Sequence, residues 1–214
     1  MTRKPLSAVL ATALAVAAVA LPASVAAQTP DPAPNPEKKW VQPPTETPRA
    51  WAGDRMRNID FLFEALKVAP DDDSAKAIEN RIWGLWLHSG SDTADLLMVR
   101  VKQATEAKNL DLGIRLLSAI IEIRPDYVEA WNRRATLYFL KKDYGNSLAD
   151  IREVLAREPR HFGALAGLGT ILAELGDDKR ALAAFRQAIS IHPHLKGIVD
   201  EVKTLTEKVE GRPI

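Results

Sequence analysis

The sequence predicts an all-α solenoid built of stacked helix-turn-helix units. Three observations point to it: an internal period of 34 residues, a proline that closes each unit, and apolar residues at helical spacing within each unit. Aligned segments start at Ala94, Val128 and Phe162. Their fourth positions are Leu97, Trp131 and Leu165, their eighth Val101, Ala135 and Gly169, and their eleventh Ala104, Tyr138 and Leu172. Further on, Gly113, Ser147 and Ala181 share a position, as do Leu117, Ile151 and Phe185, then Ile120, Val154 and Ala188. Pro125, Pro159 and Pro193 close the units.

The order of large and small residues has a packing logic. Each unit reads as two amphipathic helices, in the middle unit 128–141 and 144–157. Small residues at the eighth and twentieth positions let the paired helices approach, and large ones fill the gap between them. Proline cannot continue the second helix, and it biases its predecessor away from helical geometry. One unit cannot bury both of its apolar faces, so neighbours must stack.

The run from Val128 to Ala135, followed by Tyr138, Asp143 and Tyr144, resembles the tetratricopeptide repeat, and so does Leu165 through Pro193 with Gly176 and Asp177 at its inner turn. The 94–127 unit is similar but less regular, with Gly113 for the usual alanine and Asn109 for the usual turn aspartate. The resemblance implies a right-handed α-solenoid with repeats at 94–127, 128–161 and 162–195.

Residues 55–93 read as a further, degenerate helical hairpin of the same kind. Ile59, Leu62, Phe63 and Leu66 lie on one helical face, and Pro70 with Asp71, Asp72 and Asp73 makes a turn after which Asp73 or Ser74 caps the next helix. Ile78, Ile82, Leu85 and Trp86 line one face of that second helix, and Trp83 and Leu87 belong to another. Two apolar faces suit an inner solenoid helix. At the other end, 196–210 reads as a capping helix, apolar through Ile198, Val199, Val202, Leu205 and Val209 and charged on its other side.

The segments before this domain are of another kind. Residues 1–27 carry Arg3 and Lys4, an apolar run from Leu6 to Leu21, and small residues ending at Ala27, the pattern of a secretory signal cleaved after Ala27. The alanine-rich run is short and weakly lipophilic for a membrane span. Export to a bacterial periplasm is the expectation. Residues 28–54 are a linker whose seven prolines between Pro30 and Pro48 favour extended polyproline II. Trp40 stands within it, free to dock on the domain or on a partner.

Composition and charge exclude several classes of function. The 29 basic and 28 acidic residues give a net charge of +1, and loss of Arg3 and Lys4 makes it −1, so no general nucleic-acid binder is expected. The chain has no cysteine, which excludes disulfides, thiol catalysis and cysteine-bound metal. His161, His192 and His194 fall in turns between units, and with His88 they lack the partners a metal site needs. The acidic run 71–73 lacks the spacing of a calcium loop and suits a helix start. No phosphate loop or nucleophile elbow is present. The expectation is a chain without catalytic activity, cofactor or metal.

Binding remains. The family resemblance implies a concave groove lined by the first helix of each repeat, and it assigns residues to that groove by position. Asp95, Met98 and Lys102 come from the first repeat, together with Val99 and Thr105. Glu129, Asn132, Arg133, Thr136 and Phe139 come from the second. Gly163, Ala166 and Thr170 come from the third, with small residues leaving open space. Asn132 and Arg133 suit a peptide backbone or carboxylate, though the last unit offers no basic groove residue and so speaks against a carboxylate clamp. Arg133 and Arg134 read equally as an exposed helix face. The expected partner is a protein or peptide, held as an extended segment or a helix, and the expected role is that of a scaffold in the cell envelope. A self-associating structural solenoid and an accessory chaperone-like subunit of an envelope complex stand as alternatives.

Overall fold

The computed structural model describes residues 59–211, so the expected signal, linker and Trp40 lie outside the described residues. Within them the fold is all-α, with no strand. Nine helices follow one another: α1 through 59–67, α2 Asp72–Leu87, α3 Asp92–Glu106, α4 Leu110–Ile123, α5 Val128–Leu140, α6 Tyr144–Arg157, α7 Phe162–Glu174, α8 Asp178–Ile191 and α9 Ile198–Glu210. The helices α3 and α4, α5 and α6, and α7 and α8 pair as antiparallel hairpins and stack in chain order, with α9 against α8.

Local chemistry sets the helix starts. Asn109, Asp143 and Asp177, 34 residues apart, are the N-caps of α4, α6 and α8, and their side chains accept from the backbone N–H of Leu112, Asn146 and Arg180. The sequence placed the cap of α2 at Asp73 or Ser74. The cap is Asp71, whose Oδ1 accepts from Ser74 N at 2.7 Å, because α2 begins one residue after that carboxylate.

Small residues permit the close pairing. Ser147 Oγ donates to the carbonyl of Ala135 at 2.8 Å, so α6 and α5 meet backbone to side chain. At Gly169 a Cβ would lie 2.4 Å from the ring of Phe185, so any larger residue would force that ring or the helices to shift. The cap helix α9 buries Leu205 against Leu172, Leu182 and Phe185.

The N-terminal hairpin departs from its expected place. It is formed, but it does not stack on α3 as a first repeat. Ile59, Leu62, Phe63 and Leu66 of α1 and Ile82 and Trp86 of α2 share one core with Phe162, Leu165, Ala188 and Ile191 of the last repeat. Helix α2, about 24 Å long at 1.5 Å per residue, runs along the three turns that join successive units. At the first, Tyr127 Oη donates to the Leu87 carbonyl at 2.8 Å and Arg124 donates to that of Gly90 at 3.1 Å. At the second, the Trp86 ring stacks on His161 at 4.1 Å, and Trp83 meets Phe162 edge-on at 5.6 Å. At the third, His194 Nδ1 lies 2.7 Å from Asp72 and its Nε2 3.0 Å from the Ala69 carbonyl. The second apolar face of α2 therefore covers repeat turns, where a repeat stacked in series would have put it on α3.

Candidate functional site

The groove residues named from the sequence fall into three groups. Glu129, at a helix start beside a turn, is taken up by the fold itself, and Gly163, at the next such start, is shared between the fold and the pocket described below. Glu129 is 2% exposed; its carboxylate accepts from Asn132 Nδ2 at 3.0 Å and from Arg133 Nε at 2.8 Å, and it lies 3.6 Å from His161 Nε2. His161 is fully buried as the N-cap of α7, its Nδ1 accepting from Ala164 N at 3.0 Å. That bond leaves Nε2 to carry the ring proton on the Glu129 side. Gly163 lies under Trp83, where a Cβ would come within 3.1 Å of the indole.

The second group surrounds an open pocket of about 140 Å³ between α5 and α7. Asn132, Thr136 and Phe139 line it from α5, Gly163, Gly167 and Thr170 from α7, and Ser147 and Ile151 of α6 with Ile171 complete the lining. The hydroxyls of Thr136 and Thr170 each donate to a carbonyl four residues back, those of Asn132 and Ala166, at 3.0 Å. Ala166 contributes that carbonyl.

The third group lies toward the first repeat. Asp95, Met98, Val99 and Lys102 of α3 and Arg133 of α5 border a shallow depression, with Leu87 of α2 as its remaining wall. Val99 is 55% exposed. Leu87 was legible only as part of a second apolar face on α2, since its neighbours depend on where that helix lies.

Two arginines adjacent in sequence part company. Arg133 stays at the groove, held by Glu129. Arg134 is not on an exposed face: it grips Asp150 through two bonds of 2.8 Å, donates to Ser118 Oγ at 2.9 Å and lies over the Trp131 ring at 5.0 Å. It ties α5 to α6 and to the preceding repeat.

The turn histidines serve the α2 seat. His192 is 1% exposed and 3.5 Å from Glu79, and burial lowers its pKa. His194 has its pKa raised by the Asp72 carboxylate and then by the Ala69 carbonyl. Acceptors at both ring nitrogens favour the charged form of His194. Among the described residues no group of three His, Asp or Glu side chains is arranged to hold a metal ion, and no helix is long and apolar enough to cross a membrane.

Comparison with known proteins agrees with this architecture. A family model described as tetratricopeptide repeat matches residues 128–161 and 162–194. A TPR repeat-containing protein of Rhizobium etli is 41% identical over 155 residues, which cover 72% of this chain and 76% of the relative. Among solved structures, the first TPR domain of Spaghetti (RPAP3), bound to the HSP90 peptide SRMEEVD, superposes with a TM-score of 0.53 at 16% identity, covering 56% of this chain and 95% of that one. A crystal structure of MamA gives 0.53 at 16% identity, covering 77% and 84%. These structural likenesses concern the fold.

Proposed function

The chain belongs to the tetratricopeptide repeat family, whose fold is a scaffold for protein–protein interaction, and from that premise we propose that it is a non-enzymatic adaptor of the bacterial cell envelope. It holds a protein or peptide segment in the part of its concave groove that α2 leaves open. One observation carries the reading: with α2 seated along the turns, the faces of α3, α5 and α7 away from them still present a pocket and a depression bordered by apolar side chains, Phe139, Met98 and Val99 among them. Such a surface is matched by a partner's apolar residues. Residues 1–27 support the envelope location, and residues 28–54 would give the domain reach.

Site-specific photocrosslinking in intact cells tests this. A benzophenone amino acid at Val99 or Thr136 is expected to capture a discrete protein partner, and one at the exposed Arg152 of α6 is not. Equal capture from all three positions, or none from the groove, sinks the adaptor reading. Location is tested separately: N-terminal sequencing of the protein from a periplasmic fraction is expected to begin at Gln28, and an intact Met1 in the cytoplasmic fraction argues against export.

A further inference from the structure

We propose that the pocket between α5 and α7 is an anchor site for one uncharged, leucine-sized side chain of a partner segment, whose backbone N–H donates to the amide oxygen of Asn132. The inference rests on the adaptor reading and specifies what the groove takes.

Size comes first. The pocket holds about 140 Å³, close to the roughly 150 Å³ of an engineered apolar cavity that accepts benzene. That is room for one side chain and not for a helix. It stays open on the α7 side because Gly167 brings no side chain; a Cβ at Gly167 would meet only Ile151 Cδ1, at 3.7 Å.

Charge and hydrogen bonding then restrict the occupant. The hydroxyls of Thr136, Ser147 and Thr170 are spent on backbone carbonyls. The nearest charges, Glu129 and Arg133, neutralise each other at 2.8 Å. An acidic or basic tip would lose its hydration here and gain no counter-ion. Asn132 is different. Glu129 can only accept, so Asn132 Nδ2 must face it, and the amide oxygen is left as an acceptor with no donor among the described residues. An extended backbone offers that donor.

The pocket is also continuous with a surface that already takes an apolar group. Gly163 borders it, and on the same residue the chain seats its own Trp83. The partner segment thus lies alongside α2 and continues the interface that α2 begins.

The test uses ¹⁵N-labelled protein purified from its host cells, with N-acetyl-L-leucine methylamide as the probe. Saturable amide shifts are expected at Asn132, Thr136, Gly167 and Thr170 at millimolar probe, with a response at least about tenfold weaker to N-acetyl-L-aspartate methylamide. Gly167→Leu fills the pocket from the α7 side and should abolish them while circular dichroism shows the fold kept and Tm does not fall. Should that variant not fold, Gly167→Ala narrows the same space and is expected to weaken the response several-fold. Absence of saturable shifts, an equal response to the aspartate probe, or shifts that survive the filled pocket would overturn the assignment. Crosslinking from Val99 separates the two readings: capture that Gly167→Leu leaves unchanged removes the anchor and keeps the adaptor, whereas shifts without capture from any groove position keep the pocket and remove the adaptor.

Discussion

Arg134 and Asp150 hold three helices at one point, and their arrangement sets what a substitution there does. Asp150 is 4% exposed, so removing its charge strands the Arg134 guanidinium in a half-buried site. Asp150→Asn is expected to cost about 3 kcal/mol in urea unfolding, within the range for breaking buried ion pairs, while the double variant Arg134→Met with Asp150→Leu should recover most of it. Two glycines of α7 give a second contrast. Gly169→Ala places a Cβ 2.4 Å from the Phe185 ring and should destabilise by about 1–3 kcal/mol, whereas Gly167→Ala meets nothing closer than 3.7 Å and should stabilise by about 0.5–1 kcal/mol. Urea midpoints that rank these variants the other way would refute the packing argument. The role of Gly169 was legible in the sequence, since its place in the repeat asks for a small residue. That of Arg134 was not, because its helical position borders both the groove and the paired helix, and only the placed partner Asp150 tells which it serves.

Helix α2 is seated against two histidines whose pKa values are shifted in opposite directions. His194 lies between Asp72 and the Ala69 carbonyl, and these two acceptors raise its pKa. A raised folded-state value contributes stability that is fully present below the unfolded value of about 6.5 and is lost as pH climbs through the folded one. His192, two residues away, is shifted the other way by burial, so its contribution is present above about 6.5 and is lost as pH falls through its lowered value. The seat of α2 is thus firmest between the two. Urea midpoints of the wild type should decline as pH rises above about 6.5, and His194→Ala should flatten that alkaline arm. A variant that keeps the full alkaline decline would show that another group titrates. In the sequence these histidines read as plain turn residues. Their carboxylate partners lie more than a hundred residues away for His192 and His194, beyond any local pattern.

At the scale of the whole molecule, α2 changes how the repeats cooperate. Stacked repeats touch only their neighbours, and their stability is close to a sum of unit and nearest-neighbour contributions. Here one helix touches the turns at Tyr127, His161 and His194, so it adds a link between repeats that are not adjacent. Removing residues 1–90 would expose Phe162, Leu165, Ala188 and Ile191. The remaining solenoid is expected to melt lower, with circular dichroism and the fluorescence of its single remaining tryptophan, Trp131, no longer coincident, while the intact chain gives one transition. An unchanged Tm and a single transition in the shortened protein would show that α2 is dispensable for cooperativity.

The sequence by itself determined the repeats from α3 to α8, because the signals for them are local: helical spacing of apolar residues, a cap every 34 residues, and a proline at each closing turn. It also indicated an apolar helical hairpin within 55–93, where α1 and α2 form. Where that hairpin sits was decided by tertiary structure. Apolar burial has no direction of its own, so the faces of α1 and α2 fit stacking on α3 as well as lying along the turns. Groups scattered along the chain made the choice, with Tyr127 and Arg124 at one end of α2, His161 under Trp86, and His194 on Asp72 at the other. That placement in turn shaped the surface: it set Trp83 over Gly163, added Leu87 to the depression beside α3, and left the space between α5 and α7 open.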